Sequence, residues 1–192
     1  MPDTLLPFDF KTYKDYKGKV YAVVTNFETA EPEYIEVDDY NTSRSIILAS
    51  CALPFMFPPV CIDGKNYYDG GCADPLPVKF AYSSGCNKVI TILTREREYE
   101  KQSDKESAVS SLFFRKNRAF AEVLKKRHQV YNSSREYLFK KEADGSAFVF
   151  APSSTRGWKR TEKRPDFVKY MYDLGYNDCI KRLDELKEFL NK

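Results

Sequence analysis

Histidine is almost absent from this 192-residue chain, which has only His128. A Ser-His-Asp triad would have to take its base from that one residue. His128 lies in the charged run Lys125-Lys126-Arg127-His128, where a solvated histidine on a helix surface is the commoner reading. Cysteine is scattered: Cys51, Cys61, Cys72, Cys86 and Cys179 form no C-x-x-C pair and no Cys/His zinc spacing. That density excludes a disulfide scaffold, and the odd number reads as free thiols in a reducing cytoplasm. The 8 glycines form neither a phosphate-cradling loop nor a G-x-S-x-G nucleophile elbow. No metal triad or paired acid/base carboxylate motif stands out, so no cofactor or metal is called for. Long apolar runs are missing too. Residues 46–62 are the most apolar stretch, but Ser50, Pro54, Pro58 and Pro59 interrupt it. It is also shorter than the ~20 residues of a membrane span. Met1-Pro2-Asp3 opens without a basic or apolar leader.

Aromatic residues are plentiful. With 14 Tyr, 14 Phe and 42% hydrophobic residues, the chain can build a core, which excludes general disorder. The length suits one domain, or a domain with an appendage. The net charge of +3 hides an asymmetry: residues 1–94 hold 8 Lys/Arg and 12 Asp/Glu, whereas residues 95–192 hold 23 and 16. A division into 1–94 and a basic, mainly helical 95–192 follows.

Along the chain, residues 19–26 read as a buried strand and 33–37 as a half-exposed one. The cluster at 41–43 should cap a short helix over 44–51. The proline-rich 55–60 segment should be an ordered apolar loop. Asp63-Gly64 predicts a hairpin turn with a returning strand at 65–68. Asp74 as N-cap and Pro75 at N1 predict a helix to about residue 84, and 88–94 a second buried strand. Together these make a βαβ unit with parallel pairing. Beyond a charged loop, residues 105–141 are helical, with Val109, Phe113, Phe120, Leu124 and Tyr131 as one stripe and a break expected at 132–134. A strand at 147–151, a basic loop holding Trp158, and helices at 165–174 and 177–190 about Gly175 complete the reading.

Asp69-Gly70-Gly71 is the most pointed chemical feature. An acid at the carboxyl end of a buried strand sits where open α/β sheets bind ligands, and a base there could activate a serine hydroxyl. On spacing alone, the commoner reading is an ordinary Asp-Gly turn. Ser50 lacks a glycine elbow and reads as a buried helix-end serine. The basic stretches 115–118, 125–128 and 156–164 match no nucleic-acid-binding module, and read as solvated helix faces with acids nearby.

Residues 49–60 (Ala-Ser-Cys-Ala-Leu-Pro-Phe-Met-Phe-Pro-Pro-Val), then Tyr68-Asp69-Gly70-Gly71, then Pro75-Leu76-Pro77-Val78 resemble the second half of a patatin-like phospholipase domain. Residues 161–163 and 172–177 are similar to the C-terminal part of bacterial patatin-like proteins. The resemblance covers nearly the whole chain, most firmly 18–94. It implies an α/β fold, here a partial, mostly parallel sheet flanked by helices with a helical C-terminal appendage. It implies hydrolysis of fatty-acyl esters or phospholipids by a serine–aspartate dyad, with Asp69 as base and Gly70 and Gly71 shaping its turn. Phe55, Met56, Phe57 and Val60 would border the acyl chain. In that family the serine elbow and the glycine-rich oxyanion loop precede the part that matches here, and neither occurs in these 192 residues. Without the serine no acyl-enzyme forms, and each missing oxyanion donor withholds ~2.7–4 kcal/mol of transition-state stabilisation. The expectation is therefore a fragment or half of a split enzyme, inactive alone. Its incomplete sheet edge would favour self-association, and its lipid substrate peripheral membrane contact. The alternative is a non-catalytic binding or assembly protein using the basic helical half.

Overall fold

A computed structural model describes residues 8–38, 43–103, 105–159 and 161–191. In chain order its elements are α1 (Phe10–Asp15), β1 (Tyr21–Asn26), β2 (Pro32–Glu36), α2 (Arg44–Ser50), β3 (Val60–Ile62), β4 (Lys65–Asp69), a 3-10 turn (Gly70–Cys72), α3 (Val78–Ser83), β5 (Val89–Ile92), α4 (Lys105–Phe113), α5 (Arg118–Ala143), β6 (Ala147–Phe150), α6 (Pro165–Lys181) and α7 (Leu183–Asn191). They fall into two units, residues 1–76 with 102–131 and residues 77–101 with 132–192. This grouping cuts across the acidic-to-basic change near Thr94. No helix among the described residues is long and apolar enough to cross a membrane.

The first unit holds an antiparallel sheet in the order β2-β1-β4-β3. The β3–β4 hairpin turns at Asp63 (φ 49°) and Gly64 (φ 78°). Those are the two left-handed residues that a tight two-residue turn needs, and Asp-Gly supplies them at low cost. Successive residues of β4 point to opposite faces. Tyr67 packs with Val24 and Ala49, while Tyr68 packs with Ala52, Cys72, Phe120 and Leu124. The Tyr68 and Phe120 rings stack at 5.1 Å, and burying each such ring contributes roughly 1.5–3 kcal/mol. Asn117 starts α5 by accepting the Phe120 N–H at 3.0 Å, and its amide also donates to the Phe27 carbonyl.

The second unit is built on the parallel pair β5–β6, in register from Val89↔Ala147 to Ile92↔Phe150. β6 is buried throughout, because Phe148 and Phe150 pack with Phe189 of α7. β5 leaves Ile90 and Ile92 exposed. Arg135 is buried, and its Nη2 donates to the carbonyls of Glu96 (2.7 Å) and Arg97 (2.9 Å), fixing the loop after β5.

Several expectations need correction. Among the described residues only β5–β6 pairs in parallel, so the sheet is mainly antiparallel rather than mostly parallel. β4 and β5 belong to different sheets and form no βαβ unit. Asp74 does not cap a helix: its Oδ2 accepts the Tyr34 hydroxyl at 2.6 Å, and α3 begins only at Val78. α5 runs unbroken through 132–134, because the Asn132 amide pairs with both peptide groups of Lys101 (2.9 and 3.0 Å) instead of capping. The break between helices falls before Asn117 instead. α6 passes through Gly175 and ends at Lys181, with Arg182 as its C-cap. Helix α1 was not expected. Of the cap cluster at 41–43, residues 41 and 42 lie outside the described residues, as does the chain start at 1–3. Ser43 makes no side-chain cap bond.

Candidate active site around Asp69

Asp69 ends β4, an inner strand between β1 and β3, opposite Val24 of β1. Its backbone is held on both sides. The Asp69 N–H donates to the Ala52 carbonyl at 2.9 Å, and the Asp69 carbonyl accepts the fully buried Thr25 hydroxyl at 2.9 Å. The same hydroxyl accepts the Ala73 N–H at 3.3 Å, so one threonine bridges both ends of the turn. The half-buried side chain folds forward, and Oδ1 accepts the Gly71 N–H at 2.7 Å. Oδ2 has no hydrogen-bond partner among the described residues. A carboxylate with one oxygen anchored and the other open is equipped to accept a proton from a hydroxyl in a fixed direction.

The two glycines serve different needs. A Cβ on buried Gly70 would lie 2.2 Å from the Val23 carbonyl oxygen, so this position requires close backbone approach. A Cβ on Gly71 would lie 3.1 Å from Asp69 Oδ1 and 3.6 Å from Arg127 Nη2. Arg127 reaches this point from α5 and donates Nε–H to the Gly71 carbonyl at 2.7 Å. The Asp69 carboxylate and the Arg127 guanidinium thus both border the space beside Gly71. Tyr68, next to Asp69, has its phenol pushed above the usual range by burial.

The aromatic segment divides. Phe55, in a left-handed conformation (φ 68°), packs edge-on against Phe113 and Phe114, with centroids at 5.1 and 5.3 Å. Val60 is half-buried against both clusters of the first unit. Met56 and Phe57 are exposed. Ser50 is half-buried at the last turn of α2. His128 is not a fully solvated residue as expected. It is half-buried, and its Nδ1 is shut off from solvent with no partner among the described residues. All five cysteines are free thiols, with Cys51, Cys61 and Cys86 exposed.

Two participants escaped the sequence reading. Thr25 sits inside an apolar run, and Arg127 inside a basic run that reads as solvent-facing. Only the α5 repeat, which sets Arg127 one turn from the core residues Leu124 and Val123, could have singled it out.

No curated protein matches the chain. Residues 117–191 match the family model described as Domain of unknown function (DUF6363). Residues 5–82, which include Asp69 and its turn, match the model described as Patatin-like phospholipase, a match that supports that family for this part of the chain.

Proposed function

We propose that the chain contributes the aspartate-bearing part of a lipid acyl-ester hydrolase, with Asp69 as the general base of a serine–aspartate dyad. The observation that carries this reading is the Asp69 carboxylate itself. It lies within the matched segment at the end of an inner strand, with Oδ1 tied to the Gly71 N–H and Oδ2 without a partner among the described residues. Its task is to take the proton from a serine hydroxyl as the oxygen attacks the ester carbonyl. It then passes that proton to the departing alkoxide, and in the second half-reaction takes one from water.

The sequence contains no G-x-S-x-G, so the serine and its oxyanion donors come from a polypeptide segment other than these residues. The substrate class is a fatty-acyl ester or phospholipid. Met56 and Phe57 supply exposed apolar surface for the acyl chain, and Phe55 and Val60 supply the packing of the same unit. Arg127 positions the turn through the Gly71 carbonyl. The test joins the chain to a G-x-S-x-G-bearing segment of a patatin-like relative and measures release of p-nitrophenol from its butyrate ester. Activity of the joined protein should fall by about 10²–10⁴ with Asp69→Asn, the usual worth of a general base. Undiminished activity with that substitution contradicts the assignment.

A further inference from the structure

Helix α6 carries an apolar stripe on a side turned to solvent. Val168, Tyr172, Tyr176 and Ile180 recur every four residues, on one helix face. They are 43, 70, 59 and 51% exposed, respectively. At the start of the helix Trp158 stacks on Phe167 at 6.2 Å, and the Arg164 guanidinium lies 4.6 Å from the Phe167 ring centre.

The charge around this stripe is lopsided. Residues 156–182 hold 8 Lys/Arg and 4 Asp/Glu. In three of the four ion pairs that these residues make among the described residues the cation is the outer partner, the exception being Arg182, 32% exposed against 59% for Glu185. Side-chain exposure is 65% for Arg164 against 5% for Glu162, 74% for Lys169 against 47% for Asp173, and 75% for Lys181 against 17% for Asp178. Glu162 and Asp178 are turned inward, Asp178 onto the Ser153 N–H at 2.7 Å. The surface therefore presents more positive charge than its composition suggests.

We propose that this face of α6, with residues 156–159 and 161–164 before it, docks onto an anionic lipid surface. Tyrosine and tryptophan rings suit the boundary between headgroups and acyl chains. Val168 and Ile180 enter the apolar side of that boundary, while the outward lysines and arginines meet lipid phosphates. A nucleic acid has no use for a valine–isoleucine stripe. A second copy of the chain would bring two cationic faces together. The surface lies within the segment that matches the domain of unknown function, and gives it a role in holding the protein at its target. It does not depend on Asp69.

The test is cosedimentation of the full chain with vesicles of ether-linked lipid, which no acyl hydrolase can cleave. Vesicles of phosphatidylcholine alone are compared with vesicles also containing phosphatidylglycerol. The chain should bind the mixed vesicles, with affinity falling as salt rises. Lys163→Glu with Lys169→Glu should weaken partitioning by about tenfold or more, and Tyr172→Ser with Tyr176→Ser should also lower it by about tenfold. Both pairs are exposed, so circular dichroism spectra should match the parent's. Failure to bind the mixed vesicles, parent-like partitioning by both double variants, or tighter binding of a single-stranded DNA oligonucleotide overturns the proposal.

Discussion

At the residue scale, the Asp69 turn depends on two glycines that look alike in sequence and differ in physics. Gly70 has the Val23 carbonyl where a side chain would go, and backbone cannot move aside. Gly70→Ala should destabilise the protein by about 2–3 kcal/mol, the cost of overpacking a tight site. Gly71 faces only the ends of the Asp69 and Arg127 side chains, which can shift. Gly71→Ala should cost less than half as much in urea unfolding while displacing the carboxylate. Equal losses for the two would show that the close approach at Gly70 is not what fixes the turn. The Asp-Gly-Gly pattern was legible in the sequence because an acid before a glycine pair is a local signal. The partners that orient it, Thr25 and Arg127, are distant in sequence. Their types, a threonine in an apolar run and an arginine in a basic run, say nothing of where they point.

At the element scale, hydrogen bonds between side chains cross the sheet of the first unit, spanning β1 as well as joining it to β2. Tyr67 of β4 donates to Glu33 of β2 at 2.8 Å, and Asn26 of β1 donates to the same carboxylate at 2.7 Å. Burial, followed by the Glu33 contact, pushes the Tyr67 phenol up to about 12. The unfolded phenol releases its proton near pH 10. Below that pH the contribution of this bond is fully present. Between about 10 and 12 the folded chain keeps a proton that the unfolded chain has lost, so stability falls as pH rises, by about 2 kcal/mol. The melting temperature should drop from pH 9.5 to 11.5 by more in the parent than in Tyr67→Phe; parallel profiles would exclude this linkage.

Helix α6 offers a second element-scale prediction. Gly175 lies in its interior, and a Cβ there would meet nothing within 4 Å. Gly175→Ala should therefore raise stability by about 0.5–1 kcal/mol in urea unfolding. A loss would mean that the helix needs the flexibility of glycine at that point. Short-range signals such as the Asp63-Gly64 hairpin were readable from sequence. The helix breaks were not, because polar residues at 132–134 and glycine at 175 were outweighed by tertiary bonds and packing, as at Asn132 with Lys101.

At the scale of the whole molecule, pairing direction was the least legible property. Apolar runs announce strands but not their neighbours, so β4 and β5 looked like successive strands of one sheet and belong to two. The two matched segments carry different features. Residues 5–82 carry Asp69, and residues 117–191 carry both Arg127, which braces its turn, and the cationic aromatic face of α6. The central claim is that Asp69 is a general base whose serine comes from elsewhere. Hydrolysis of p-nitrophenyl butyrate tests it most directly. The chain alone should release no more p-nitrophenol than its Asp69→Asn variant, and joining it to a G-x-S-x-G segment should create turnover that the same substitution removes. Robust turnover by the chain alone, abolished by Asp69→Asn, would contradict the account by placing the nucleophile among these 192 residues.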